Sequence, residues 1–214
     1  MQITRPLLLS ASLASLLFAG CEDPAAAAPA AEVHAPVRPA TGPAPDDDAR
    51  QALDIDAASS SVGFTGAKVT ASHDGRFERF SGTVRFDPSS ITESSVSITI
   101  QMGSVQIEPA RLRGHLVSPD FFDVERFPTA TFESTSIAAG GEGGTHTVTG
   151  NLTLHGQTRA ITFPATIHVT DAEVHATAEF SINRRDFGIV YPGMPDDLIR
   201  DGVVIRFDVR APRS

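Results

Sequence analysis

The sequence predicts an all-β domain built from antiparallel strands. Apolar residues alternate with polar ones in segment after segment, turn-forming residues separate these segments, and every phenylalanine except Phe18 lies at or beyond Phe64. Strict alternation is typical of strands with one buried and one solvated face. About eight such segments at this spacing favour a sandwich or a closed barrel.

The alternation locates six of these strands in chain order. Their apolar positions are Phe80, Val84 and Phe86; Val96, Ile98, Ile100 and Met102; Val148, Leu152 and Leu154; Ile161, Phe163, Ala165, Ile167 and Val169; Val174, Ala176, Ala178, Phe180 and Ile182; and Val203, Ile205, Phe207 and Val209. Residue types that favour turns separate these runs, at residues 72–75, 87–90, 140–144, 155–156, 171–172 and 192–202.

One segment breaks the period of two. Residues 109–116 are predicted to form a short helix, because Pro109 suits a first helical turn, and a looser turn continues through residues 120–124. A new strand is predicted to open at Thr129. An all-β chain with a helix inserted between strands fits a barrel whose mouth is plugged or lidded by the insertion.

The amino-terminal end reads as an export signal. Arg5 precedes an apolar run over residues 7–18, which is too short for a membrane span, and small residues then lead to Cys21. This ending is similar to a bacterial lipobox, so residues 1–20 are predicted to be a signal peptide and Cys21 to be lipidated. The predicted location is the periplasmic face of a bacterial membrane. The alternative is ordinary cleavage near Ala28 and a soluble periplasmic protein.

The region after Cys21 has a different composition from the rest of the chain. Residues 22–50 are rich in Ala, Pro and acidic residues and contain no aromatic residue, so they bury too little apolar area to offset the entropy of ordering. We therefore expect a disordered tether over residues 21–51 and one folded domain over residues 52–214. Cys21 is the only cysteine, so no intramolecular disulfide can form.

Charge excludes one class of partner. The formal net charge is -9, and removal of residues 1–20, which include Arg5, makes it -10. Nucleic-acid binding requires a basic surface that such an acidic chain lacks, so no nucleic-acid partner is predicted. Charge would not draw the chain to anionic lipid either, so membrane association should come from the lipidated Cys21.

Four segments, in order, resemble the YceI-like family of bacterial periplasmic proteins. They are HDGRFERFSGTVRF at 73–86, GHLVSPDFFDVERFPTATF at 114–132, VTGNLTLHGQTRAITFPATI at 148–167 and INRRDFGI at 182–189. The resemblance implies an antiparallel, lipocalin-like, eight-stranded β-barrel with one short helix between strands, which binds a long isoprenoid or fatty chain. The sequence departs from the family at Leu112-Arg113, where many members carry Arg-Asp. The family's aspartate is missing here, so no role of that aspartate is assigned to this chain.

The resemblance implies an elongated apolar tube with polar groups only at its mouth. The candidate lining and mouth residues are Phe64, Phe80, Phe86, Ile98, Ile100, His115, Phe121, Phe122, Phe132, Leu152, Phe163, Phe180, Phe187 and Phe207. Each apolar candidate is also compatible with ordinary core packing, and His115 with a hydrogen bond from helix to loop. Arg184 is expected to pair with Asp186 or Asp120 and hold the loop after its strand.

Small residues at inward positions have two interpretations. Gly82, Ala176 and Ala178 either leave room in the tube or mark a close crossing of strands.

The predicted function is binding, sequestration or transport of a long-chain apolar molecule in the cell envelope. The candidate ligands are a polyisoprenoid, an isoprenoid quinone precursor or a fatty-acid derivative. The alternative is a membrane-tethered protein-interaction module with a filled core and no ligand. No enzyme is predicted, because the chain lacks the common nucleophile, zinc-protease and phosphate-loop motifs. No metal site or cofactor is predicted, although His168 and His175 could face one side across a turn.

Overall fold

The computed structural model describes residues 23–37 and 50–213, and an antiparallel β-sheet dominates them. The strands are β1 Glu32–His34, β2 Gln51–Asp54, β3 Ser61–Lys68, β4 Ser72–Phe77, β5 Phe80–Phe86, β6 Ser95–Gln101, β7 Val105–Ile107, β8 Thr129–Ala139, β9 His146–Leu154, β10 Gln157–Val169, β11 Glu173–Asn183, β12 Gly193–Met194 and β13 Asp197–Pro212. The helices are α1 Pro24–Ala27 and α2 Arg111–Val117, with single 3-10 turns at Ile91–Glu93, Met102–Ser104 and Arg184–Phe187.

The sheet curls so that its inner face encloses an apolar interior. Strands follow one another in the order β2-β5-β6-β8-β9-β10-β11-β13-β3-β4-β7, while β1 pairs with β10 and β12 with β13. Close to the end of β2, the Asp56 amide donates to the carbonyl of Arg210 on β13 at 2.9 Å. Leu53 of β2 and Val209 of β13 share one hydrophobic cluster. The fold is therefore all-β and antiparallel with few helices, as the sequence predicts.

The strand count differs from the expected eight. The described part of the chain holds thirteen strands, of which eleven form the main path of the sheet. Four of them, β1, β2, β7 and β12, have only two to four residues, too few for alternation to reveal. Two predicted turns are also wrong. Residues 72–75 belong to β4, which pairs with β3, and much of 192–202 belongs to β12 and the irregular start of β13.

The segment 23–37 corrects the prediction of a disordered tether over part of its length. Strand β1 pairs with β10 through Val33 and Ile161, and Ser181 of β11 accepts from the Ala31 amide and donates to the Pro29 carbonyl, both at 2.8 Å. Strands β10 and β11 pair with each other only over residues 166–169 and 174–177. Segment 23–37 thus fills the gap where β10 and β11 diverge. Backbone hydrogen bonds to these two strands hold the segment in place, although it has little apolar area of its own.

The phenylalanine-rich insertion lies at one end of the sheet. Helix α2 covers most of the predicted 109–116, and β8 begins at Thr129 as expected. Between them the Phe122 amide donates to the Leu116 carbonyl at 2.9 Å, and the Asp123 amide donates to the Ser118 carbonyl at 2.9 Å. These bonds fold the chain back against α2, which places Phe121 and Phe122 at the mouth of the interior. The predicted signal peptide and Cys21 lie outside the described residues.

Candidate ligand-binding tube

Two apolar cavities lie inside the curled sheet. The near cavity lies beside α2, and the far cavity lies beyond it toward the other end of the sheet. Apolar side chains of β3, β6, β8, β9, β11 and β13 line the near cavity, with Leu116, Phe121 and Phe122 at its α2 side. The far cavity is lined by Val84, Phe86, Ile98, Ile137, Val148, Phe163, Ala165, Ile167, Val169, Val174, Ala176, Ala178 and Val209, among others. Together they form an elongated interior whose walls offer almost no hydrogen-bonding groups.

An aromatic constriction separates the two cavities. Phe132 of β8 and Phe207 of β13 line both, and their ring centroids are 6.5 Å apart. Phe163 and Phe180 stack at 4.1 Å with nearly parallel rings. Each of them also contacts one member of the first pair, Phe163 to Phe132 at 5.6 Å and Phe180 to Phe207 at 6.2 Å. We call these four rings the constriction.

A glycine determines where the Phe132 ring lies. Gly150 of β9 is adjacent to β8, and a Cβ atom placed on it would stand 2.4 Å from the Phe132 ring and 2.6 Å from the Glu133 carbonyl oxygen. Only a residue without a side chain lets the ring occupy this position. Gly82, by contrast, lines neither cavity, and its missing Cβ would stand 2.3 Å from the Ser97 carbonyl oxygen. Of the two interpretations, close strand contact therefore fits Gly82.

A vestibule leads from the near cavity to the solvent. His115 of α2 packs edge-on against the Phe121 ring at 4.7 Å and the Tyr191 ring at 4.9 Å, and its Nε2 lies 3.3 Å from a carboxylate oxygen of Asp120. Phe121 lines both the vestibule and the near cavity. Aromatic faces thus lead inward from a more polar entrance.

An ion pair lies at the edge of the vestibule. Lys68 Nζ donates to Oδ2 of Asp197. The other carboxylate oxygen, Oδ1, accepts a hydrogen bond from the Thr70 hydroxyl at 3.0 Å. The bond from Lys68, followed by that from Thr70, holds the pKa of Asp197 below its ordinary value of 3.8, although desolvation opposes the shift. These polar groups are part of the vestibule lining.

Arg184 is the one charged residue buried in the wall of the near cavity among the described residues. Its guanidinium donates to the carbonyl oxygens of Ile189 at 2.8 Å, Arg200 at 3.1 Å and Ile199 at 3.4 Å, and to the Asp201 carboxylate at 3.0 Å. Burial lowers the pKa of Arg184, and Asp201 opposes that shift. The predicted structural role fits this geometry, but the partner is Asp201 rather than Asp186 or Asp120.

Most of the candidate residues surround the same interior. Eleven of the fourteen line a cavity, namely Phe64, Phe86, Ile98, Ile100, Phe121, Phe122, Phe132, Leu152, Phe163, Phe180 and Phe207. His115 lines the vestibule. Phe80 and Phe187 line none of these spaces: Phe80 packs on the hydrophobic cluster around Phe86, and Phe187 is fully buried beside Phe180. Whether the lining residues contact a ligand stays a prediction.

Sequence reasoning missed part of the entrance. Tyr191, Met194, Lys68 and Asp197 all line the vestibule, yet none was a candidate. Met194 and Asp197 fall in the stretch 192–202, which the sequence predicts to be a turn, and Tyr191 directly precedes it. An available signal was the presence of the only tyrosine and an exposed methionine in a stretch that otherwise reads as polar loop.

We also searched the described residues for a metal site and for a membrane-spanning helix. Residues 23–37 and 50–213 contain no group of three or more His, Cys, Asp or Glu side chains placed to hold a metal ion. His168 and His175 do pair across β10 and β11, but His175 Nε2 contacts the Asp208 carboxylate at 2.9 Å. None of the helices found in these residues has the length and apolarity needed to cross a membrane.

Solved structures share this architecture. BcnA of Burkholderia cenocepacia superposes with a TM-score of 0.65 at 29% identity, over 73% of this chain and 99% of that one. A polyisoprenoid binding domain from Saccharophagus degradans gives a TM-score of 0.60 at 16% identity, over 76% and 98%, and therefore supports the fold alone. The YceI protein of Campylobacter jejuni gives 0.53 at 25% identity, over 65% and 84%.

Sequence relatives and a family model agree with the fold. A UPF0312 protein of Pseudomonas putida is 35% identical over 125 residues, which are 56% of this chain and 65% of that protein. One of Pseudomonas aeruginosa is 43% identical over 91 residues, 42% of this chain and 47% of that protein. The matches thus span about half to two thirds of these relatives. The model of the YceI-like domain matches residues 53–211, and the chain accordingly belongs to the YceI-like family.

Proposed function

We propose that this protein binds a single long-chain apolar molecule in the tube and carries or sequesters it in the cell envelope. The observation that carries the proposal is the pair of apolar cavities in line, which share the rings of Phe132 and Phe207. The elongated arrangement of these cavities suits a flexible chain better than a compact ligand.

The chemistry of the walls favours a ligand with few polar groups. A polyisoprenoid, an isoprenoid quinone precursor or a fatty-acid derivative would be bound by burial of its tail, at about 25 cal/mol per Å² before the costs of association. A polar head would lie in the vestibule near Lys68, His115 and Asp197. The Saccharophagus degradans domain that shares this fold is described as polyisoprenoid binding, so a polyprenyl chain is one of the probes to test.

The location of the protein is part of the proposal. The apolar run before Cys21 supports export, and lipidation at Cys21 would hold the domain at the periplasmic face of a membrane. Binding rather than catalysis is the proposed activity, since the tube presents apolar walls along most of its length.

A cavity-filling variant tests the proposal. Ala176→Phe places a ring in the far cavity, whereas Ala138→Phe makes the same change at an exposed position of β8. Fluorescence titration with a polyprenyl or long fatty-acyl probe should give saturable binding to the unmodified protein and to Ala138→Phe. Ala176→Phe should bind at least about tenfold more weakly, which corresponds to the loss of roughly two buried methylenes. Absence of probe binding by the unmodified protein would favour the interaction module with a filled core.

A further inference from the structure

The entrance of the tube carries an apolar rim. The described residues include five exposed large hydrophobic side chains, and four of them either line the vestibule or directly adjoin a lining residue in sequence: Val69, Val190, Met194 and Leu198, with exposures between 50% and 62%. Met194 lines the vestibule itself. The Val69 amide donates to the Leu198 carbonyl at 3.1 Å, and Val190 directly precedes Tyr191 of the vestibule. We call these four residues the rim.

The charges near the rim are paired rather than concentrated. Lys68 is bonded to Asp197, and Arg184 and Arg185 both bind one carboxylate oxygen of Asp201 at 3.0 Å and 2.8 Å. The chain as a whole is acidic. Among the described residues, Lys68, Arg184 and Arg185 near the rim each bind a carboxylate, so apolar contact is what this surface offers a partner.

The amino-terminal segment approaches this same entrance. The Asp23 carboxylate lies 3.3 Å from the guanidinium of Arg200, which is two residues, or about 7 Å, along β13 from Leu198. Cys21 precedes Asp23 by two positions, a span of at most about 7 Å. Pairing of β1 with β10 and the hydrogen bonds of Ser181 hold the rest of the segment to the sheet. An acyl chain on Cys21 would thus start close to the rim.

We infer that the rim docks on a lipid bilayer, with the vestibule opening directly into the membrane interface. The inference rests on the proposed function and deepens it, because it names the surface from which the ligand enters. An apolar molecule would then move between bilayer and tube without crossing water. The segment 23–37 is the part that makes this orientation stable, since it fixes the anchor beside the entrance instead of at the end of a long tether.

Hydrogen–deuterium exchange on an anchored chain tests the inference. The processed chain, beginning at Cys21, is coupled through this only cysteine to a maleimide-bearing phospholipid in phosphatidylcholine vesicles, which anchors it whether or not a cell lipidates it. Relative to the uncoupled chain, exchange over residues 190–199 should slow by at least about tenfold, whereas the loop at residues 140–145 on the opposite end should not change. Vesicles that also contain phosphatidylglycerol should give the same protection.

Matched variants connect the protection to the rim. Met194→Ser combined with Leu198→Ser should abolish it, and Val37→Ser, which changes the fifth exposed hydrophobic residue on the outer wall, should retain it. Unchanged exchange over 190–199, equal protection at both ends, protection that requires anionic lipid, or protection that survives the double variant would each overturn the inference. Probe binding by the uncoupled chain is measured in parallel. If the chain binds the probe but the rim is not protected, the docking inference is wrong while the proposed ligand binding stands.

Discussion

The rings of Phe132 and Phe207 lie 6.5 Å apart across the interior and line both cavities. They are held by different strands, β8 and β13, and Phe132 occupies its position because Gly150 has no side chain. This pair therefore marks the place that a long ligand must pass to fill the whole tube.

Phe207→Ala should change the preference for chain length. Removing this ring joins the two cavities, so a longer tail can extend into the far one, where each newly buried methylene contributes about 0.8 kcal/mol. The affinity for a long polyprenyl probe should rise relative to that for a short fatty-acyl probe. Competition titrations with the two probes measure the ratio. An unchanged ratio would mean that the ring does not limit the length of the ligand.

Arg184→Met should destabilise the fold strongly. The change removes the buried guanidinium that donates to three carbonyl oxygens and to the Asp201 carboxylate, which keeps only its bond from Arg185, and we expect a loss of about 3 kcal/mol in the free energy of unfolding. Arg185→Met is the matched control, because Arg185 binds the same carboxylate from an exposed position and should cost less than about 1 kcal/mol. Urea unfolding compares them, and equal losses would argue against the buried network.

Ala31→Pro should release β1 from the sheet. Proline has no amide proton to donate to the Ser181 carbonyl, whereas Ala31→Ser keeps that donor. When β1 leaves, the Ser181 amide loses its acceptor at Pro29, so its exchange with solvent should accelerate in the proline variant only. Amide exchange followed by NMR measures this. Unchanged protection of Ser181 in Ala31→Pro would show that the segment contributes nothing to closing the gap.

Asp197→Asn should make the protein less stable at neutral pH and less sensitive to acid. The pKa of Asp197 is lower in the folded chain than its ordinary 3.8, so the ionised carboxylate stabilises the fold above about pH 4. That contribution is lost as the pH falls through the lowered folded-state pKa. The difference in unfolding free energy between the unmodified chain and Asp197→Asn should therefore shrink below pH 4. Asp196→Asn changes the exposed neighbouring carboxyl group and serves as the matched control variant.

The sequence predicts the inner wall of the tube better than its entrance. Alternation identifies Ile98, Phe163 and Phe207 as inward residues because the period of a strand is local information. The pairing of Arg184 with Asp201 and the insertion of β1 between β10 and β11 depend on contacts between distant parts of the chain. Neither contact leaves a local pattern in the sequence. The sequence therefore predicts the wrong partner for Arg184 and a disordered tether where β1 forms.

The distinction between lining and packing also depends on the folded chain. Phe180 and Phe187 both belong to the aromatic candidates and both are fully buried. Phe180 projects from a strand and borders the near cavity, whereas Phe187 ends a 3-10 turn and packs into the core. Residue type and spacing do not separate these cases, because both environments are apolar.

The most direct test of the central claim is mass spectrometry of the molecule that the tube holds. Residues 22–214 are exported behind a cleavable secretory signal, so that the protein is recovered from the periplasm without detergent, and the purified protein is extracted with organic solvent. We predict one long-chain apolar molecule per protein molecule, reduced in Ala176→Phe and retained in Ala138→Phe. Extracts that contain only trace lipid, from a protein that also takes up no polyprenyl or fatty-acyl probe, would contradict the account.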